Sequence, residues 1–197
     1  MMRSRIATLA VVLAALLVVP QGAALGVSIL FIGGGGTPTS GADGAVMTYL
    51  ETRYGVGNVT YQQASATAAG AELAYDALVI SSTPGSGDIR SKFQNSPVGI
   101  LNWEEAVVDD EAGEFQLSVV NKPTGQTQIN VVDASHYITA SLPLGPRVVF
   151  TGGTETIAQN GLISTGVQTL AQENGSADAT LFVADTGATL FGDGSAG

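Results

Sequence analysis

Val27-Ser28-Ile29-Leu30-Phe31-Ile32 runs straight into Gly33-Gly34-Gly35-Gly36, and this stretch decides the fold. An uninterrupted apolar run of strand length offers no polar face to water. It reads as a central parallel strand buried on both sides. The glycines stop it, and the pattern then turns helical. The spacing predicts a helix from Ser40, with Ala42, Val46, Tyr49, Leu50 and Tyr54 along one side. Ser40 is placed to cap it, and Asp43 sits in the first turn, where the helix dipole favours negative charge. Gly55 and Gly57 end it, and Asn58-Val-Thr-Tyr61 reads as a second strand.

The unit recurs. Ala66 to Ala74 is expected to be a short Ala-rich helix, and Asp76-Ala-Leu-Val-Ile-Ser81 a third strand. Ser82-Thr-Pro-Gly-Ser-Gly87 is the loop after it. Asp88 to Gln94 reads as a short helix and Ser96-Pro-Val-Gly-Ile-Leu-Asn102 as a fourth strand. Strands alternating with helices at this spacing predict βαβ units, with right-handed crossovers covering both faces.

Past Asn102 the chain is β-rich and loop-rich. Short strands are expected at Phe115–Val120, Gln128–Val132, Arg147–Phe150, Gly166–Leu170, Ala179–Ala184 and Ala188–Phe191, with one helical turn over Ser135–Leu142. Lys122-Pro-Thr-Gly125 reads as a turn. The fold class expected is α/β: a flavodoxin-like three-layer arrangement on a mostly parallel sheet, with a β-rich C-terminal half. Residues 25–197 are expected to form a single domain. The closing Gly192-Asp-Gly-Ser-Ala-Gly197 brings no terminal helix, which suggests a truncation or a tail leading to other domains.

The other end carries an address. Arg3 and Arg5 precede the apolar run Ile6 to Val19, and Pro20-Gln-Gly-Ala-Ala24 supplies a break and small residues. That is the layout of a cleavable signal peptide over residues 1–24. The run falls short of the roughly 20 residues a spanning helix needs. The mature chain is therefore expected to be secreted, periplasmic or at the cell surface, with no membrane span.

Composition narrows the chemistry. Among 197 residues, 17 are acidic and 7 basic, a net charge of -10 at neutral pH. Such a surface repels phosphate backbones, so no nucleic-acid partner is expected. There is no cysteine and a single histidine, His136. A disulfide framework, a thiolate nucleophile and a multi-histidine zinc site are excluded. The sequence calls for no cofactor and no metal.

Several segments carry candidate chemistry. In an open parallel sheet, ligands sit beyond the carboxyl ends of the strands. Gly33–Gly36 lies there, but neither a dinucleotide fingerprint nor a P-loop follows it, and the plain reading is a tight strand-to-helix turn. Thr37-Pro-Thr-Ser-Gly41 resembles the hydroxyl-rich phosphate loop of flavodoxins, with Asp43 placed to repel a phosphate. Trp103-Glu104-Glu105 follows the fourth strand. Tryptophan is a natural sugar platform, whereas adjacent glutamates on a helix face different ways. Asp109-Asp-Glu-Ala-Gly-Glu114 lacks the spaced oxygen ligands of a calcium loop and reads as a solvated acidic loop. Asn58-Val-Thr60 and Asn174-Gly-Ser176 are glycosylation sequons.

Ala77-Leu-Val-Ile-Ser-Ser-Thr-Pro-Gly-Ser86 and Ser96-Pro-Val-Gly-Ile-Leu-Asn-Trp-Glu-Glu105 resemble the third-strand loop and nucleophile-elbow strand of the class I glutamine amidotransferase-like superfamily. Asp133-Ala-Ser-His136-Tyr-Ile-Thr-Ala-Ser-Leu142 is similar to a segment of its ThuA-like branch, with Ala134 and Tyr137 in place of prolines. The likeness spans roughly Val27 to Leu142. It implies a flavodoxin-like fold, and it implies an oxyanion loop at Ser82. The nucleophile position falls at Asn102 or Trp103, and neither side chain can attack a carbonyl. No serine elbow replaces it, and His136 reads as structural.

The expected function is thus an exported non-catalytic binding or accessory module, meeting carbohydrate or another extracellular domain. The alternative is a ThuA-like enzyme acting on glycans or small polar molecules. The candidate site comprises Gly34, Gly35, Ser82, Thr83, Asn102, Trp103 and Glu104, with His136 nearby.

Overall fold

The computed structural model describes residues 26–38, 41–110, 113–121, 126–149, 151 and 159–191. The expected signal segment, Ser40, the Lys122–Gly125 turn, Phe150 and the C-terminal Gly192–Gly197 lie outside the described residues.

The first half is a four-stranded parallel sheet. Its elements are β1 (Ile29–Gly33), α1 (Gly41–Tyr54), β2 (Val59–Gln63), β3 (Ala77–Ile80), α2 (Ser86–Ile89) and β4 (Gly99–Asn102). The spatial order is β2-β1-β3-β4, and every pairing is parallel. The Val27–Ile32 run behaves as its composition dictates, with all of β1 buried. Its side chains alternate between two cores. Leu30 and Ile32 join Leu78, Ile80, Ala64, Ile89, Phe93, Val107 and Phe115 on one face. Ile29 and Phe31 join Val59, Val79 and Leu50 of α1 on the other.

α1 ends at Gly55 and Gly57 as expected, both at positive φ. Its inward stripe differs from the expected one. Val46, Met47, Leu50 and Tyr54 face the sheet, while Ala42 and Tyr49 turn to solvent. The reason is Asp43, which is buried. Positions 43, 47, 50 and 54 share one helix face, so pulling Asp43 inward sets the rotation of the whole helix.

The second crossover is not the expected helix. Two 3₁₀ turns, Ala64–Ala66 and Ala71–Ala74, replace it, separated where Gly70 adopts φ 82°. The helix expected over Asp88–Gln94 is likewise split into α2 and a 3₁₀ turn at Arg90–Phe93, with Arg90 at φ 44°. These short pieces still bury Ala64, Ile89 and Phe93 against the sheet. One face is therefore covered by a long helix and the other by a patchwork of turns.

The second half is a separate sheet, where a single mostly parallel sheet was expected. It contains β5 (Ser118–Asn121), β6 (Gln128–Val131), β7 (Gly145–Val148), β8 (Gln159–Ile163), β9 (Val167–Glu173) and β10 (Ala179–Ala184). The order is β5-β8-β10-β9-β6-β7, antiparallel throughout. The strand-rich C-terminal half is as expected, but two of its elements are not. β8 opens on Gln159-Asn-Gly161, whose polar, glycine-containing start hides the strand. Ala188–Phe191 is not a strand; Ala188 and Thr189 instead pack against Gly166, and Leu190 is buried.

Candidate functional site

The carboxyl ends of β1, β2 and β3 converge on one carboxylate. Asp43, in the first turn of α1, is 7 % exposed. Ser81, just past β3, donates its hydroxyl to Asp43 Oδ1 at 2.5 Å. Thr83 donates its hydroxyl to Asp43 Oδ2 at 2.7 Å. The Tyr61 hydroxyl from β2 lies 3.4 Å from the same oxygen, and it reaches the Gly35 carbonyl at 2.7 Å. The helix N-terminus adds a favourable field for the charge.

The glycine loop is tied into the same knot. Gly34 N–H donates to Thr83 Oγ1 at 2.8 Å, and Gln63 Nε2 donates to the Gly34 carbonyl at 3.2 Å. A Cβ on Gly33 would fall on the Asp43 carboxylate and within 2.5 Å of the Tyr61 hydroxyl, and one on Gly34 would fall on the Thr83 backbone. Gly35 and Gly36 have open space around them. Half of the glycine run thus exists so that backbone can approach the knot. Tyr61 feels the arrangement: burial first, then the Asp43 charge and hydrogen bond, push its hydroxyl above the ordinary value of 10.0, while the Gly35 carbonyl opposes this.

This geometry bears on anion binding. The place at a helix N-terminus where a phosphate would settle is held by a carboxylate of the chain itself. A phosphate placed at the N-terminus of α1 would meet that charge.

Asn102, Trp103 and Glu104 make a second, self-contained turn at the end of β4. Asn102 Nδ2 donates to the Glu104 carbonyl at 2.9 Å, and Glu104 N–H donates back to Asn102 Oδ1 at 3.2 Å. Trp103 N–H donates to the Ile80 carbonyl, extending the ladder. The turn sends neighbouring side chains apart: Glu104 is buried, whereas Trp103 is 45 % exposed. Register pairs Val79 with Leu101, and side chains two apart share a face. Leu101, 48 % exposed, therefore lies on the same face as Trp103. That face is the one α1 covers at β1 and leaves open at β4.

The remaining candidates separate. Ser82 is exposed, next to the buried Ser81. His136 sits in the turn between β6 and β7 of the second sheet, and its hydrogen bonds stay local. Its Nδ1 accepts from Ile138 N–H at 3.3 Å, its carbonyl accepts from Thr139 N–H, and its ring lies 4.4 Å from that of Tyr137. The expected helical turn over Ser135–Leu142 is a pair of such turns. Of the candidates, Gly34, Gly35 and Thr83 belong to the knot, and Asn102, Trp103 and Glu104 to the β4 turn. Asp43, Tyr61 and Gln63 escaped the sequence reading as site residues. The available signal was an acid in a first helical turn opposite the Ser81-Ser82-Thr83 hydroxyl run on a neighbouring strand.

Among the described residues no group of three or more His, Asp and Glu gathers to hold a metal ion, and no helix is long and apolar enough to cross a membrane. No protein-family model matches the chain, and comparison with curated proteins and with solved structures gives no significant match.

Proposed function

We propose that this chain is an exported, non-catalytic binding module that takes neutral carbohydrate on the Trp103 face of β4. The observation that carries the reading is the contrast between Trp103 and Ser81. Trp103 is 45 % exposed, whereas Ser81 is 3 % exposed and its hydroxyl is bonded to Asp43. An apolar ring face suits the C–H face of a sugar. A surface with net charge -10 disfavours anionic polymers. The strand order β2-β1-β3-β4 supports a flavodoxin-like arrangement, since it repeats the first four positions of that pattern. The resemblance of Ala77–Ser86 and Ser96–Glu105 to the class I glutamine amidotransferase-like superfamily adds to it. At the nucleophile position, Asn102 spends its amide on closing a turn.

Trp103 is the sole tryptophan, so its fluorescence reports on that face alone. Titration with neutral soluble oligosaccharides is expected to give a saturable change, and calorimetry is expected to show the binding heat lost in Trp103→Ala, with no new reducing ends released. Absence of any saturable response overturns the reading. Release of product that disappears in Ser82→Ala or Glu104→Gln assigns the chain instead to an enzyme acting on glycans.

A further inference from the structure

The two sequons occupy opposite environments, and the geometry points to Asn174 as a site of N-linked glycosylation and to Asn58 as a sequon that the folded chain leaves unmodified. This rests on the proposed export, because the acceptor must meet a lipid-linked oligosaccharide outside the cytoplasm. In the transfer, Asn174 Nδ2 forms a bond to the anomeric carbon of the donor sugar. The bond from that carbon to the lipid phosphate breaks, the phosphate departs with the bonding electrons, and the amide loses one proton.

Asn58 is built into the junction between α1 and β2. Its Nδ2 donates to the Tyr54 carbonyl at 2.7 Å. Its backbone N–H donates to the Gly55 carbonyl, and its carbonyl accepts from Ile29 N–H at 2.7 Å. The side chain thus satisfies a carbonyl at the helix end and is half-buried. A glycan on Nδ2 would take one of its two hydrogens and push a bulky polar group against the helix end and the start of the parallel sheet.

Asn174 stands at the tip of the hairpin between β9 and β10 and is exposed. The turn is closed without it. Glu173 N–H donates to the Asp178 carbonyl at 2.8 Å, Ser176 N–H donates to the Glu173 carbonyl, and Asp178 N–H donates to Ser176 Oγ. Gly175 carries the positive φ of the turn, 89°. The Asn174 carboxamide makes no hydrogen bond to the described residues, so a sugar there costs the fold nothing. Such a position, at a loop tip of an exported chain, is where glycans are tolerated.

The test expresses the full chain in a glycosylating secretory host in two versions, one with its own N-terminus and one with a proven leader in place of residues 1–24. Occupancy is read by peptide mass after enzymatic glycan release, on folded, protease-resistant protein from medium and lumen. With the proven leader, Asn174 is expected to be occupied at least about tenfold more than Asn58. Asn174→Gln is expected to abolish the gel shift, and Thr60→Val, which deletes the other sequon and keeps a β-branched strand residue, to leave it intact. An unmodified Asn174, or equal occupancy at both sites, overturns the inference. Glycosylation with the proven leader but not with the native N-terminus upholds the site and removes the export reading.

Discussion

Asp43 and Ser81, 38 positions apart in sequence, meet at 2.5 Å between a carboxylate oxygen and a hydroxyl. That contact joins the first turn of α1 to the end of β3 and brings the Gly33–Gly36 loop with it. It turns what reads as a helix-start acid into an anchor for three loops. It also commits the Ser81 hydroxyl to the fold. The carboxylate is held by Ser81 and Thr83 and flanked by Tyr61, so its removal leaves the buried Ser81 hydroxyl without its acceptor and frees the Thr83 hydroxyl.

Asp43→Ala is accordingly expected to cost about 3 kcal/mol, the scale set by one buried donor left unsatisfied together with lost bonds to a charged group. Chemical denaturation monitored by circular dichroism checks this. Ser81→Ala removes one donor and leaves the acceptor with partners, so its cost should be smaller, about 1 kcal/mol. A loss below that of Ser81→Ala would show that Asp43 does not organise this edge.

The glycine run divides into two halves with different sensitivities. Gly34→Ala forces a methyl onto the Thr83 backbone, which has no rotamer with which to yield. A cost of about 2 kcal/mol or more is expected from overpacking of that kind. Gly35→Ala meets nothing within 4 Å, and its effect should stay within about 0.5 kcal/mol. Thermal melts of the two variants, run side by side, decide it. Equal losses would mean that the run is needed for its backbone freedom and not for close approach.

What the sequence disclosed follows from range. β1, α1, β3 and β4 were legible because each carries its signal within a dozen residues: an apolar run, a helical period, a glycine stop. The 3₁₀ turns at Ala64–Ala66 and Ala71–Ala74 were misread because alanine favours a helix, while Gly70 and the Thr67 hydroxyl bonded to the Gln63 carbonyl break it. The Asp43 knot left only a faint sequence signal, the first-turn acid and the hydroxyl run, because its partners come from three strand ends. It depends on β1 lying between β2 and β3, which no local pattern states. The second sheet was legible as strands and illegible as a sheet, since β5 pairs with β8, and β6 with β9, across long intervals.

Burial separates two aromatic residues that composition treats alike. Phe93 is fully buried in the core under β1 and β3, and Trp103 is 45 % exposed. Phe93→Ala should cost about 3–5 kcal/mol through the cavity it leaves. Trp103→Ala should cost no more than about 1 kcal/mol, because much of its ring is already in water. The variant would then be a folded protein with its binding face removed, which is the control that a calorimetric titration requires. Denaturant midpoints of both variants provide the measurement, and a Trp103→Ala loss as large as that of Phe93→Ala would make the ring a core element.

The stability profile against pH should have an acid limb and an alkaline limb with separate owners. Asp76 accepts the Ser28 N–H and hydroxyl, both at 2.8 Å, and these bonds hold its carboxyl below the ordinary value of 3.8. Asp133 is held below the same value by the Ser135 hydroxyl, then by Ser135 N–H and Gln168. A carboxyl with a lowered folded value binds protons less readily folded than unfolded. Its contribution is complete above 3.8 and is lost as pH falls through the lower folded value. Tyr61 runs the other way. Its raised value means that the folded chain keeps the proton longer, so its contribution is complete below 10.0 and is lost as pH rises through the folded value. Asp76→Asn combined with Asp133→Asn should flatten the acid limb and leave the alkaline one in place, and Tyr61→Phe should do the reverse. Urea midpoints measured from pH 2.5 to 11.5 would read both limbs at about half-unit spacing. An alkaline limb that survives Tyr61→Phe unchanged would remove the Tyr61 hydroxyl as its cause.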